Sequence, residues 1–127
     1  MDVYKTHGAF SWSELMTGDP EAAAAFYGPL FGWQVQAMDM GGGPYHVVKV
    51  GDVSVGGIMK TPAEAGPMPP AWGCYVTVSD VEATVAQATA LGGKVLVPAM
   101  DVPGVGRMAV IADPQGAVLS VMQYSGD

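Results

Sequence analysis

A chain of 127 residues, half of them hydrophobic and 13% charged, carries enough apolar material for one compact domain and too little charge for a disordered one. Five basic against twelve acidic residues leave a net charge of −7, which offers phosphate backbones no electrostatic footprint, so no nucleic-acid partner is expected. Cys74 is the only cysteine, no apolar leader opens the chain and no apolar run reaches the roughly 18 residues of a membrane span, so a cytoplasmic protein with no membrane partner is expected.

The first predicted element is a strand over Ala9 to Met16, followed by a helix that starts at Asp19-Pro20-Glu21. Asp19 can accept from free N–H groups at a helix start, Pro20 suits the first helical position and Glu21 suits the positive end of the dipole. Gly28-Pro29 predicts an early end, because proline lacks a donor and disfavours helical geometry before it. Strands are predicted over Trp33 to Met38, Tyr45 to Val50 and Val53 to Lys60, divided by the turn residues Gly41 to Pro44 and Gly51-Asp52. Thr61 to Ala71 holds four prolines and reads as a linker. Beyond it come a strand from Gly73 to Val78, a helix from Val81 to Leu91 stopped by Gly92-Gly93, and strands Lys94 to Pro98, Arg107 to Ala112 and Ala117 to Tyr124.

The two halves echo each other. Asp19-Pro20-Glu21-Ala22 returns as Asp80-Val81-Glu82-Ala83, 61 residues on, and Val35-Gln36-Ala37-Met38-Asp39 returns as Val97-Pro98-Ala99-Met100-Asp101, 62 residues on. Two echoes at nearly one spacing argue for duplication. The expected fold is therefore α+β: two tandem βαβββ units, about 8–60 and 72–125 with a linker over 61–71, making one domain over 1–127. A half of about 55 residues is marginal alone, so the units should pack together or exchange with a second chain. The sheet is expected to curve, partly closed, around a cleft with the helices outside.

The stretches "WSELMTGDPEAAAAFYGPLFGW", "VGGIM", "CYVTVSDVEATVAQATALGGKV" and "GRMAVIADPQGAVLSVMQ", in this order, resemble the vicinal oxygen chelate superfamily, the glyoxalase/bleomycin resistance/dioxygenase group. The resemblance covers nearly the whole chain and implies metal ligands on the first and last strand of each unit. Counting from the helix-start aspartates and from Gly116 puts those places at Trp12, Cys74 and Ser120, with the fourth near Gly56-Gly57. Divalent ions of this type favour imidazole and carboxylate, which none of these residues supplies. No metal and no cofactor are therefore expected, and Trp12 offers instead an apolar wall with one N–H donor.

Trp12 and Glu14 share a strand parity, so if one faces the cleft both should, which would place Glu14 to act as a general base or to pair with a cation. The alternative is a solvated carboxylate near a strand end. His46, on a face with Val48 and Val50, reads as inward, either as a hydrogen-bonded structural residue or as a ligand contact. Arg107 either binds a ligand carboxylate or pairs with Asp101 or Asp113. Met59 and Met122 are core filler or an adaptable cleft lining beside Ser120, and Cys74 reads as a small buried hydrophobe or a ligand contact. His7 precedes the first strand in solvent. A metal site improvised from Glu14, His46 and Cys74 would need all three to converge.

Two functions stay open at this stage. One is a homodimeric binding protein for an apolar or aromatic, cationic small molecule. The other is an enzyme, a lyase, isomerase or dioxygenase, either with atypical metal ligands or metal-free with Glu14 as the base.

Overall fold

The computed structural model describes residues 1–39, 44–62 and 68–125. In chain order it forms β1 (Phe10–Thr17), α1 (Pro20–Phe31), β2 (Gln34–Asp39), β3 (Pro44–Val50), β4 (Val53–Lys60), β5 (Ala71–Thr77), α2 (Val81–Ala90), β6 (Lys94–Val102), β7 (Gly106–Ala112) and β8 (Val118–Tyr124). This is the expected α+β class with two βαβββ repeats. The predicted turn at 41–43 and the middle of the predicted linker, 63–67, lie outside the described residues.

The chain divides into two compact units, Trp12–Gly73 and Met1–Ser11 with Cys74–Asp127, and it passes between them inside β1 and β5. In the unit of residues 12–73 the strands run in the order β2-β3-β4-β1, with β1 parallel to β4 and the rest antiparallel. Alternation along these strands sends Leu15, Val48 and Ile58 to one face, where Ala23 and Tyr27 of α1 pack on them with Trp33 and Val35. The other unit repeats the plan as β5-β8-β7-β6, with β5 parallel to β8. Its helix-side core is Val78, Val81, Ala109 and Val121, backed by Val85, Ala99 and Ile111. The first residues of the chain belong here, because Gly8 N–H donates to the Thr77 carbonyl and Thr77 N–H to that of Ala9, both at 2.8 Å.

Both helices start as their sequences dictate. The Asp19 carboxylate accepts from Ala22 N–H and that of Asp80 from Ala83 N–H, each at 3.1 Å. The early end expected for α1 at Gly28-Pro29 does not occur, since the helix runs through Pro29 to Phe31. Proline removes one donor there, but the turn around it is clamped by rings. Tyr27 stacks on Phe31 at 6.2 Å and on Trp33 at 5.9 Å, and its hydroxyl accepts from Trp72 Nε1 at 3.2 Å. The helix stops at Gly32, whose left-handed φ of 71° lets its N–H turn back to the Gly28 carbonyl.

β6 runs four residues beyond its expected end at Pro98. As the outer strand of its sheet it can carry a residue without an N–H, and its register shifts between Val95 and Val97 and between Val97 and Met100 absorb the proline.

Candidate functional site

In the unit of residues 12–73, the sheet face opposite α1 is built from two cross-strand rows. Pairing places Met38, Tyr45, Met59 and Met16 side by side, and next to them Gln36, Val47, Gly57 and Glu14. Trp12 continues β1 on the same parity. The face thus combines flexible thioethers, a phenol, an indole and one carboxylate.

The polar groups form a directed chain. Trp12 Nε1 donates to the Tyr45 hydroxyl at 3.1 Å, and that hydroxyl donates to Glu14 Oε2 at 2.5 Å. Each donor is aimed the same way, so the dipoles add and the carboxylate collects the negative end. Gly57 makes room for this arrangement, because a Cβ built there would overlap the Tyr45 hydroxyl and ring.

Tyr45 is not among the candidate residues that the sequence singles out on β3, where its neighbour His46 is. The available signal was Gly57 itself, since a glycine inside a strand marks the close approach of another group. His46 pairs with Ile58 and is buried on the helix-covered face, the opposite side from Trp12, Tyr45 and Glu14. Its Nδ1 has no hydrogen-bond partner among the described residues.

Counting back from the helix caps also needs correction. Trp12 stands seven residues before Asp19, and the residue seven before Asp80 is Gly73, not Cys74. Cys74 is exposed and shares its parity with Val76, whereas Tyr75 pairs with Ser120. Tyr75 is the counterpart of Glu14, each five residues before its cap and each paired with the last strand of its unit.

The second unit repeats the pattern of rows. Met100, Met108, Met122 and Thr77 align across its strands on the face opposite α2, next to Val110, Ser120 and Tyr75. Met122 is buried there, and Ser11 Oγ lies 2.8 Å from the Tyr124 hydroxyl.

Arg107 is not on this face. Its Nη2 lies 2.7 Å from Glu82 Oε2 on α2 and its Nη1 2.8 Å from Asp101 Oδ1. Of the partners weighed for it in the sequence, Asp101 is engaged, and Glu82 takes the place considered for Asp113. The guanidinium hydrogen bonds hold the Glu82 carboxyl below its ordinary range, and the same bonds raise Arg107.

No group of three or more His, Cys, Asp or Glu side chains suited to a metal ion occurs among the described residues. At the places the family resemblance points to, Trp12 and Gly57 in one unit and Gly73 and Ser120 in the other, the chemistry does not fit a divalent ion. An indole and two glycines present no lone pair, and one hydroxyl is a poor ligand alone.

Residues 9–121 match the model of the Glyoxalase/Bleomycin resistance protein/Dioxygenase superfamily. Among curated proteins the chain is 43% identical over 117 residues to CFP32 of Mycobacterium bovis, provisionally named a glyoxylase, covering 91% of this chain and 44% of that protein. It is 36% identical over 127 residues to the anthracycline biosynthesis protein DnrV of Streptomyces peucetius, covering 90% of this chain and 46% of the relative. The chain therefore spans about half the length of these curated relatives. Among solved structures, a Streptomyces coelicolor methylmalonyl-CoA epimerase superposes with a TM-score of 0.68 at 15% identity, over 95% of this chain and all of that one. The Mn(II)-bound glyoxalase of Novosphingobium aromaticivorans superposes at 0.62 with 18% identity, over 90% of this chain and 38% of that one. At these identities the superpositions establish the fold alone.

Proposed function

Because the chain belongs to the glyoxalase/bleomycin resistance protein/dioxygenase superfamily, we propose that it binds a small organic molecule without a metal ion. The site is the face of Trp12, Tyr45, Glu14 and Met59. The ligand is apolar or aromatic and carries a cationic group, which the Glu14 carboxylate receives.

The observation that supports this reading is the Trp12–Tyr45–Glu14 chain, which gathers negative charge on one carboxylate beside an indole and a row of methionines. Thioether side chains adapt to varied apolar shapes. The 36% identity to a protein of anthracycline biosynthesis lends support, anthracyclines being fused-ring aromatic compounds. Ser120 and Met122 are proposed to line the corresponding face of the second unit, and the protein is proposed to work as a cytoplasmic homodimer with no nucleic-acid or membrane partner. No helix of the described residues is long and apolar enough to cross a membrane.

The test is quenching of Trp fluorescence in untagged protein by a cationic aromatic dye. Saturable quenching that survives chelator treatment and weakens about tenfold in Glu14→Gln is expected, in line with the loss of a charge-assisted contact. Absence of saturation, or near-stoichiometric zinc, nickel, iron or manganese in purified protein, overturns the reading.

A second reading rests on the same carboxylate. With the Tyr45 proton directed at it, Glu14 is positioned to take a proton from a bound carbon acid and act as the base of a metal-free isomerase or lyase. In that case Glu14→Gln abolishes turnover while leaving substrate binding largely intact.

A further inference from the structure

A second concave site lies within the unit of residues 1–11 and 74–127, where the N-terminal segment faces the end of β5 and the end of β8 across a pocket of about 490 Å³. It uses none of Trp12, Tyr45 or Glu14. Its polar lining can be sorted by what each group has left to offer.

Thr77 Oγ1 gives its proton to the Val3 carbonyl at 2.6 Å. The Ser79 N–H donates to His7 Nδ1 at 3.0 Å, which places the proton of the neutral imidazole on Nε2. Gln123 Oε1 accepts from Val81 N–H at 2.9 Å, so its NH₂ end is what remains, and this end makes no hydrogen bond among the described residues. Lys5 forms no ion pair among the described residues, the two bridges found both belonging to Arg107. The Lys5 ammonium, His7 Nε2–H and the Gln123 amide are therefore donors left over among the described residues, beside the hydroxyls of Tyr4, Ser79 and Tyr124, which can donate or accept.

Among the described residues no Asp or Glu lines the pocket. Of the carboxylates next to it in sequence, Asp80 caps α2, whereas Asp2 accepts from the N–H of the lining residue Tyr4 at 3.0 Å, and burial and then the Asp2 charge raise the Tyr4 phenol. A lining with one full positive charge and no carboxylate among the described residues is unexpected in a chain of net charge −7 with five basic residues. Tyr4 and Tyr124, packed edge to face at 5.1 Å and 86°, add an aromatic wall.

We infer that this pocket binds a small aromatic carboxylic acid. Its carboxylate is held by Lys5, His7 and Gln123 and its ring packs against Tyr4 and Tyr124. A pocket of this volume is large enough for such a ligand and can fix it with a few polar groups. The inference goes beyond the function proposed above and stands independently of it.

The test is titration of ¹⁵N-labelled protein with benzoate, followed through backbone amide shifts. Saturable shifts confined to residues 4–8, 77–79 and 123–124 are expected. Lys5→Gln should raise the dissociation constant about tenfold, the scale of one charge-assisted contact, and Lys5→Arg should restore it. Lys5 is exposed, so neither variant disturbs the core. Glu14→Gln should leave benzoate binding unchanged, which separates this outcome from that of the dye experiment. Shifts that never saturate, benzoate affinity indifferent to Lys5→Gln, or equal binding of benzyltrimethylammonium at the same amides each overturn the inference.

Discussion

Glu14 owes its position to Tyr45, and Tyr45 owes its position to a missing side chain at Gly57. Tyr45→Phe removes a hydrogen bond to a charged group at a part-buried site. Chemical denaturation should show a loss of about 1.5 kcal/mol, the low end for such bonds. Gly57→Ala should displace the phenol, shift Trp12 emission to longer wavelength and weaken the cationic dye about tenfold, an effect that fluorescence titration reads directly. On the surface, Arg107→Gln should let the Glu82 carboxyl return toward its ordinary range, as followed by carboxyl-carbon NMR. The depressed carboxyl contributes stability at pH values above its unfolded titration and loses it as pH falls through the folded one. The stability gap between the parent and Arg107→Gln should therefore be present at neutral pH and close in acid.

At the scale of elements, the caps are the clearest test of the repeat. Asp19→Ala and Asp80→Ala each remove one side-chain acceptor at a helix start and should cost about 1 kcal/mol apiece in thermal or chemical unfolding. The two caps lie in separate units, so the double variant should lose the sum within about 0.5 kcal/mol. Order and type of the elements were legible because cap residues, glycine stops and alternation all agreed. The end of α1 was not, since the ring contacts of Tyr27, Phe31 and Trp33 that outweigh Pro29 come from residues brought together only by the fold. The candidate site was legible at Trp12, Glu14 and Met59, which share one face. It was obscured at β3, where one parity carries Tyr45, Val47 and Lys49 and the other His46, Val48 and Val50, so each mixes apolar with polar residues and alternation separates Tyr45 from His46 without saying which side the helix covers. Cys74 entered through a count that slipped by one residue, and a one-residue slip in a strand changes the face.

For the whole molecule, the proposed homodimer would cover the exposed Phe26, Leu30 and Phe31 of α1 and Trp72, against the mutual repulsion of two chains of net charge −7. Light scattering should return twice the 13.1 kDa chain mass, and adding salt should not dissociate the species, because few opposite charges are available to be screened. The phenol lying over Gly57 has a consequence for how this chain could change over time. A carboxylate introduced at position 57 would collide with the Tyr45 ring before it could meet an ion, and removing the ring first would leave Glu14 and Trp12 without the hydroxyl that joins them. Either step taken singly spoils the present arrangement, so Tyr45 and the bare position 57 are each held in place by the other.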